Sequence, residues 1–537
     1  MKEVKQIDLA AMSRSELEQG YTQLSSRNHA LEAENEWLRE QVKLSKSQKF
    51  GPSSEKGIAD GTQLGIFNEA ELSRDADATE PTAEEISKKK AQERKKKGAK
   101  KNKIKNLPID RVDYRLSEEE QVCPKCGSSL HEMKKIVHDE IVVVPAQYKV
   151  HRTVQHIYSC RNCEKRDIEA TIIKAPAPKH FFRNSLASPS ILADIICKKY
   201  LLAQPLYRQE QELARYGLDL KRPTLSNWII RAADLYLYRI ADVIEKKLLS
   251  GDIIQADETE LQVLKEKGRA AQSKSYMWVY TNGNTAPPCY VYRYAPGRGQ
   301  EYPKDFLKGF SGYLQTDGYT AYDAVVRDSQ EMIVHVGCFA HARRKFTDAR
   351  KASSVKDPPN ILKGIAFCDK LFNIERECSD MSPESRISYR REHAAPVLDA
   401  YFAWLRSIEA DVLPKSKLGM AVKYSLDQEQ KLRRYLDDGR LELSNNRAER
   451  AVKPFVIGRK NWLFSNTPDG ADASAMIYGI VETAKANGLK PFEYLDHVLT
   501  VLSQVPQTDT LDLAPWSDQL PEKCRMKEPE YDDWVTR

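Results

Sequence analysis

Leucine recurs at every seventh position near the start of the chain, at Leu17, Leu24, Leu31 and Leu38, with Tyr21, Asn28, Asn35 and Val42 at the alternate seam positions. A seam this narrow, polar on every other face, predicts a leucine-zipper coiled coil over residues 1–50 rather than a helix packed on its own domain. Asparagine in the seam favours parallel, in-register pairing at some cost in stability, so a homodimer through the zipper is expected. Apolar positions then thin out, and residues 51–108 read as a disordered basic linker. Alternating β-branched stretches such as HDEIVVVPAQYKVHRTVQHIYSC place strands within residues 109–180. Helical spacing returns over 181–245, punctuated by Gly217 and Pro223, in the manner of a helix-turn-helix. Its second helix is expected to begin at Thr224 as N-cap, bury Leu225, Trp228 and Ile229, and turn Ser226, Asn227 and Arg231 outward toward DNA bases.

After Gly251 short strands take over: one beginning at Ile253 and closing at Asp257, then YMWVYT, CYVYRYA, GYLQT and MIVHVGC, interrupted by a helix at EYPKDFLKG. Three strands, a helix and a further strand follow the order of a ribonuclease H-like α/β sheet. The catalytic domain is therefore expected over 246–352, with a helical insertion over 353–440, a second catalytic part over 441–495 and a C-terminal tail over 496–537.

A chain of 537 residues exceeds what one hydrophobic core supports, which agrees with several domains. Its 41% hydrophobic and 30% charged content excludes collagen-like and wholly disordered classes. No stretch reaches the ~18 uncharged apolar residues of a membrane span, and the N-terminus lacks a signal-peptide core, so a cytoplasmic protein with no membrane partner is expected. The net charge of +7 is local, because residues 88–105 hold 11 Lys or Arg against the single acid Glu93. Such an arm is suited to phosphate contact.

Cysteine supplies the first candidate chemistry. Cys123 and Cys126 form one CxxC knuckle and Cys160 and Cys163 another, and two knuckles close a tetrahedral four-thiolate shell around one structural Zn2+. The remaining singles suit a reducing compartment better than a disulfide framework. The second chemistry is carboxylate. Asp257 and Asp317 fall at strand ends, where a sheet of this type holds metal, with Glu258 and Asp323 as neighbouring acids that could be mistaken for them. Oxygen ligands suit Mg2+ or Mn2+, and phosphodiester chemistry calls for two ions about 3.5–4 Å apart. Spacing does not reveal a third acid, because a helical stretch over 356–438 intervenes. Glu449 and Lys453 stand i,i+4 and are equally consistent with a surface ion pair.

The zipper followed by KFGPSSEK, the paired knuckles, ADET at Asp257, TDGYTAYD at Asp317, GCFAHARRKF and NNRAERAVKPFVIGRKNWLFS together resemble the insertion-sequence-66-type bacterial transposases of the DDE superfamily, whose catalytic domains are retroviral-integrase-like. The resemblance covers nearly the whole chain, with Phe339 standing where this family more often has Trp. It implies a catalytic triad of Asp257, Asp317 and Glu449, metal-dependent cleavage of element ends and strand transfer into target DNA, and small accessory proteins from the same element. Arg343, Arg344, Lys345, Arg450 and Lys453 flank the triad and are candidate phosphate contacts. Two other readings remain open, a non-enzymatic zinc-containing DNA-binding regulator and a nuclease that cuts without joining.

Overall fold

The computed structural model describes residues 147–526, apart from 160–171, 284–285, 331, 357 and 506–508, together with residue 128 and scattered positions between 13 and 42. The four knuckle cysteines, the basic run, Leu17 and Leu24 lie outside the described residues. The chain divides into two compact units, residues 1–73 with 180–524 and residues 74–179 with 525–537. In the second unit β1 (Ile157–Ser159) pairs antiparallel with β2 (Ile172–Lys174), and Gln155 Nε2 donates to the Ala175 carbonyl at 2.6 Å beside it.

In the first unit every described position from 14 to 42 is helical, and Tyr21, Leu31, Leu38 and Val42 of the zipper seam are exposed. Four further helices precede the sheet. α1 (Pro189–Ile196) is capped by the Ser188 hydroxyl, which accepts from the Ile191 N–H, and α2 (Leu206–Arg215) follows. Next come α3 (Arg222–Ala232) and α4 (Tyr238–Leu249). The expected start of α3 is displaced: Lys221 is the N-cap, and Thr224 sits inside the first turn. The reason is Pro223, whose fixed φ and missing N–H suit a first turn. Leu225, Trp228 and Ile229 are buried, Asn227 and Arg231 exposed and Ser226 half-buried.

The sheet has five strands in the order β5-β4-β3-β6-β7. β3 (Ile253–Gln262), β4 (Lys274–Thr281) and β5 (Tyr290–Ala295) form an antiparallel meander. α5 (Glu301–Phe306) leads to β6 (Gly312–Gln315), which pairs parallel with β3. α6 (Thr320–Asp328) then crosses to β7 (Ile333–Val336), parallel to β6. All five strands and α5 fall where the patterning placed them, but neither aspartate ends its strand: β6 stops at Gln315, two residues short of Asp317. Asp257 does not close the first strand; β3 continues to Gln262 because β4 pairs with it from Gln255 onward.

α7 (Phe339–Ala352) leaves the sheet and opens the helical insertion: α8 (Pro359–Glu377), α9 (Pro383–His393), α10 (Ala395–Glu409), α11 (Lys417–Asp427) and α12 (Glu429–Arg433). Phe346, Leu371, Leu398, Tyr401 and Leu405 share its core with Phe339, whose ring packs near Tyr401 and Tyr435. The chain then returns to the sheet through α13 (Asn446–Trp462) and α14 (Pro468–Ala486). The stretch expected as a tail instead carries most of α15 (Pro491–Gln504), whose Leu495, Val498, Leu499 and Leu502 are buried. Among the described residues no helix is long and apolar enough to cross a membrane.

Candidate active site

Side chains alternate along β3, so Gln255 and Asp257 share one face and Glu258 takes the other. Gln255 is buried and its Nε2 donates to Gln315 Oε1 at 2.9 Å and Glu442 Oε2 at 2.7 Å, while Gln315 Nε2 donates to the Glu442 carbonyl at 2.6 Å. This amide ladder fixes the segment entering α13 across β3 and β6. Asn445, the fully buried N-cap of α13, reaches the Ala256 carbonyl at 3.4 Å and thereby sets the helix beside Asp257. Glu449 follows within the first turn of α13.

Asp317 stands two residues beyond β6, on a turn that requires the positive φ of Gly318 (+87°). Its Oδ1 accepts the Tyr319 N–H at 3.0 Å, and the Tyr424 hydroxyl of α11 donates to its backbone carbonyl at 2.7 Å. The insertion thus braces the turn.

The three acids share one electrostatic field. Burial pushes the Asp257 carboxyl well above the usual range, and the negative charges of Glu258, Asp317 and Glu449 push it further. His341 of α7 sits between the other two, its Nδ1 3.5 Å from Glu449 Oε1 and its Nε2 4.0 Å from Asp317 Oδ2. Arg344, one turn along α7, donates to Glu449 Oε2 at 2.9 Å and lies 3.1 Å from His341 Nε2. Guanidinium only donates, so His341 Nε2 accepts and Nδ1 carries the proton toward Glu449. Burial and the Arg344 charge lower the His341 pKa, which keeps this neutral form.

Crowded carboxylates with a cost of burial need positive charge, and Glu449 Oε1 is buried without a hydrogen-bond partner. Oxygen donors of this kind fit a hard divalent cation. Cys338 Sγ, a His341 ring nitrogen and a Glu449 oxygen lie within 4.8 Å of one another, but burial pushes the Cys338 thiol up to about 12, so it favours the neutral form.

The neighbouring acids have other occupations. Glu258 turns to the opposite face, where Arg298 Nε donates at 2.8 Å and the Tyr322 hydroxyl at 3.0 Å. Asp323 receives His335 and Lys431. Glu449 pairs with Arg344 rather than serving as a surface partner of Lys453. Among the candidate phosphate contacts, Arg343 donates to Asp369 at 2.6 Å, Arg344 is drawn into the acidic cluster and Lys345 lies 5.3 Å over the Tyr424 ring. Arg450 and Lys453 are exposed on α13, while Arg231 stacks 4.6 Å over Phe182. His341 and Arg344 are the site residues whose roles sequence reasoning missed. Their i,i+3 spacing on one helix face was the available signal, obscured by the surrounding basic run.

Comparison with known proteins adds an independent line. A family model described as "Transposase IS66 family" matches residues 184–473, and "zinc-finger binding domain of transposase IS66" matches 120–164, a span that includes all four knuckle cysteines. "IS66 C-terminal element" matches 480–516 and "Transposase C of IS166 homeodomain" matches 37–112. The chain is 32% identical to the uncharacterized protein y4jD of Sinorhizobium fredii over 77% of its own length and 81% of that protein. It is 30% identical to the uncharacterized protein y4hP of the same organism, over 73% of each chain.

Proposed function

Because the chain belongs to the IS66 transposase family, we propose that it cuts the DNA ends of an insertion sequence and joins them to target DNA, using Asp257, Asp317 and Glu449 in a ribonuclease H-like domain. The observation that carries this reading is His341 standing 4.0 Å from Asp317 and 3.5 Å from Glu449, acids of the β6 turn and α13 whose charges both act on the buried Asp257 carboxyl of β3. These carboxylates would hold two Mg2+ or Mn2+ ions, which when bound supply a nucleophile at neutral pH and neutralise charge on the leaving oxygen. Arg344 holds the Glu449 carboxylate through its 2.9 Å hydrogen bond, with His341 beside the other oxygen. Arg450 and Lys453 project from the same helix and would meet phosphates, Ser226 and Asn227 would face bases, and Arg231, Arg343 and Lys345 could join them only by leaving their present partners.

Incubating the purified chain with Mg2+ and a duplex carrying an element end is expected to yield free 3′-hydroxyl ends and joined products. Binding without cleavage would favour the regulator, and cleavage without joining the nuclease. Accessory proteins of the same element would be added in parallel.

One Zn2+ per chain is proposed at Cys123, Cys126, Cys160 and Cys163, within the span matched by the zinc-finger model. A Cys160→Ser, Cys163→Ser double variant should lose the metal and destabilise its own domain. Unchanged zinc content by atomic absorption would refute the assignment. We also propose that the zipper dimerises the chain and that the basic arm adds a salt-steep share of DNA affinity. A chain starting at Asn106 should sediment as a monomer with a flatter salt slope. An undiminished dimer and slope would assign both properties to other surfaces.

A further inference from the structure

We propose that Asp323, His335 and Thr316 are positioning residues for Asp317, a carboxylate–imidazole–hydroxyl relay that sets the turn on which this acid sits. The inference rests on the reading of Asp317 as a metal-binding carboxylate.

His335 of β7 is buried between two partners, with Nδ1 2.9 Å from Asp323 Oδ1 and Nε2 2.8 Å from Thr316 Oγ1. Asp323 also receives the Lys431 ammonium at 2.5 Å, and these two partners hold its carboxyl down at about 2. An ionised carboxylate only accepts, so His335 Nδ1 carries a proton. Burial keeps the imidazole neutral. Its Nε2 therefore accepts, and the Thr316 hydroxyl must donate to it. The oxygen of that hydroxyl is left to accept the Gly318 N–H at 3.3 Å. Every proton along the relay has one place.

The order of groups is that of a hydrolytic triad, but attack is excluded. Thr316 is fully buried, and its hydroxyl is committed both as donor and as acceptor. What remains is orientation. Thr316 precedes Asp317 and Gly318 follows it, so the hydroxyl ties the two flanks of the acid together. The Tyr319 N–H then fixes one carboxylate oxygen. The anchors come from α6, β7 and the segment of α12 carrying Lys431, so the helical insertion helps to hold a carboxylate far from it in sequence. In the sequence Asp323 is only an acid near the triad. The fold makes it the fixed end of the relay.

The test is Mn2+ affinity of the full chain, measured by electron paramagnetic resonance, alongside kcat and KM for end cleavage. Thr316→Val removes the hydroxyl at nearly constant volume. It is expected to weaken Mn2+ binding about tenfold or more, as loss of an outer-shell partner does, and to lower kcat with KM for DNA unchanged. Thr316→Ser should restore both. Asp257→Asn is the reference. If it keeps wild-type Mn2+ affinity, the metal reading falls and the relay with it. If Asp257→Asn loses Mn2+ while Thr316→Val does not, the relay alone is overturned, as it is if Thr316→Ser performs no better than Thr316→Val. Should Thr316→Val fail to fold, Asp323→Ala at its partly exposed position removes the acceptor that fixes the His335 tautomer. The same fall in Mn2+ affinity is expected from it, and wild-type affinity would overturn the proposal.

Discussion

Asp257→Asn, Asp317→Asn and Glu449→Gln are each expected to abolish end cleavage while DNA binding persists. Each amide keeps the size of the side chain and one oxygen acceptor but removes the charge that would hold a divalent ion. Charge stabilisation by such ions is worth several kcal/mol, so each loss should exceed about 10³-fold in rate at 1.36 kcal/mol per tenfold. Glu258→Gln is the contrast, because that side chain lies on the other face of β3 with Arg298 and Tyr322. Its effect should be on packing rather than on the chemical step. Asp323→Asn is a poor silent control, since Asp323 anchors the His335 relay. A gel-shift and cleavage pair on the same preparations checks the set. Equal loss of binding and cleavage in the three amides would point to misfolding, and full activity in any one would remove that residue from the triad.

Arg390→Met is expected to be the most destabilising single change in the helical insertion. Arg390 is fully buried, with Nε 3.0 Å from Glu375 Oε2, and Nη1 and Nη2 donating to the carbonyls of Tyr435, Asp438 and Leu441 at 2.9, 3.1 and 2.8 Å. Removing the guanidinium strands a partly buried carboxylate and three carbonyls, a loss of about 3–5 kcal/mol by analogy with other broken buried pairs. The three carbonyls lie just before Glu442, which receives Gln255, so the damage should spread to the entry of α13 and slow cleavage as well. Arg406→Met breaks an exposed pair with Glu429 and should cost less than about 1 kcal/mol. Denaturant midpoints of the two variants check this. Equal midpoints would show that the insertion does not depend on the buried arginine.

Much of this arrangement is visible in the order of residues. Short runs rich in β-branched and aromatic residues after Gly251 mark all five strands, and the stretch between them and the NNRAER motif is helical from Pro359 to Arg433. Asp257 and Asp317 stand out in the sequence as acids following short apolar runs, although Asp257 lies within β3 rather than at its end. Glu449 is not recoverable from spacing, since α8 to α12 separate it from the sheet and only the resemblance of its surrounding motif singles it out. The length of β3 escapes because ETELQ looks polar enough for a turn, whereas its backbone is held by β4. Arg344 looks like one more phosphate-binding cation in HARRKF. Only the fold reveals that the i,i+3 pair His341 and Arg344 reaches Glu449, with His341 half-buried and Arg344 still partly open to solvent. The start of α3 was misplaced for a local reason, Pro223 entering the first turn ahead of Thr224.

The convergence of Asp257, Asp317 and Glu449 on metal is tested most directly by anomalous scattering from crystals of the chain grown with Mn2+. The expected result is a manganese peak bounded by oxygens of the three acids at about 2.1 Å, lost in Asp257→Asn. Manganese bound elsewhere, with none among these carboxylates, would contradict it.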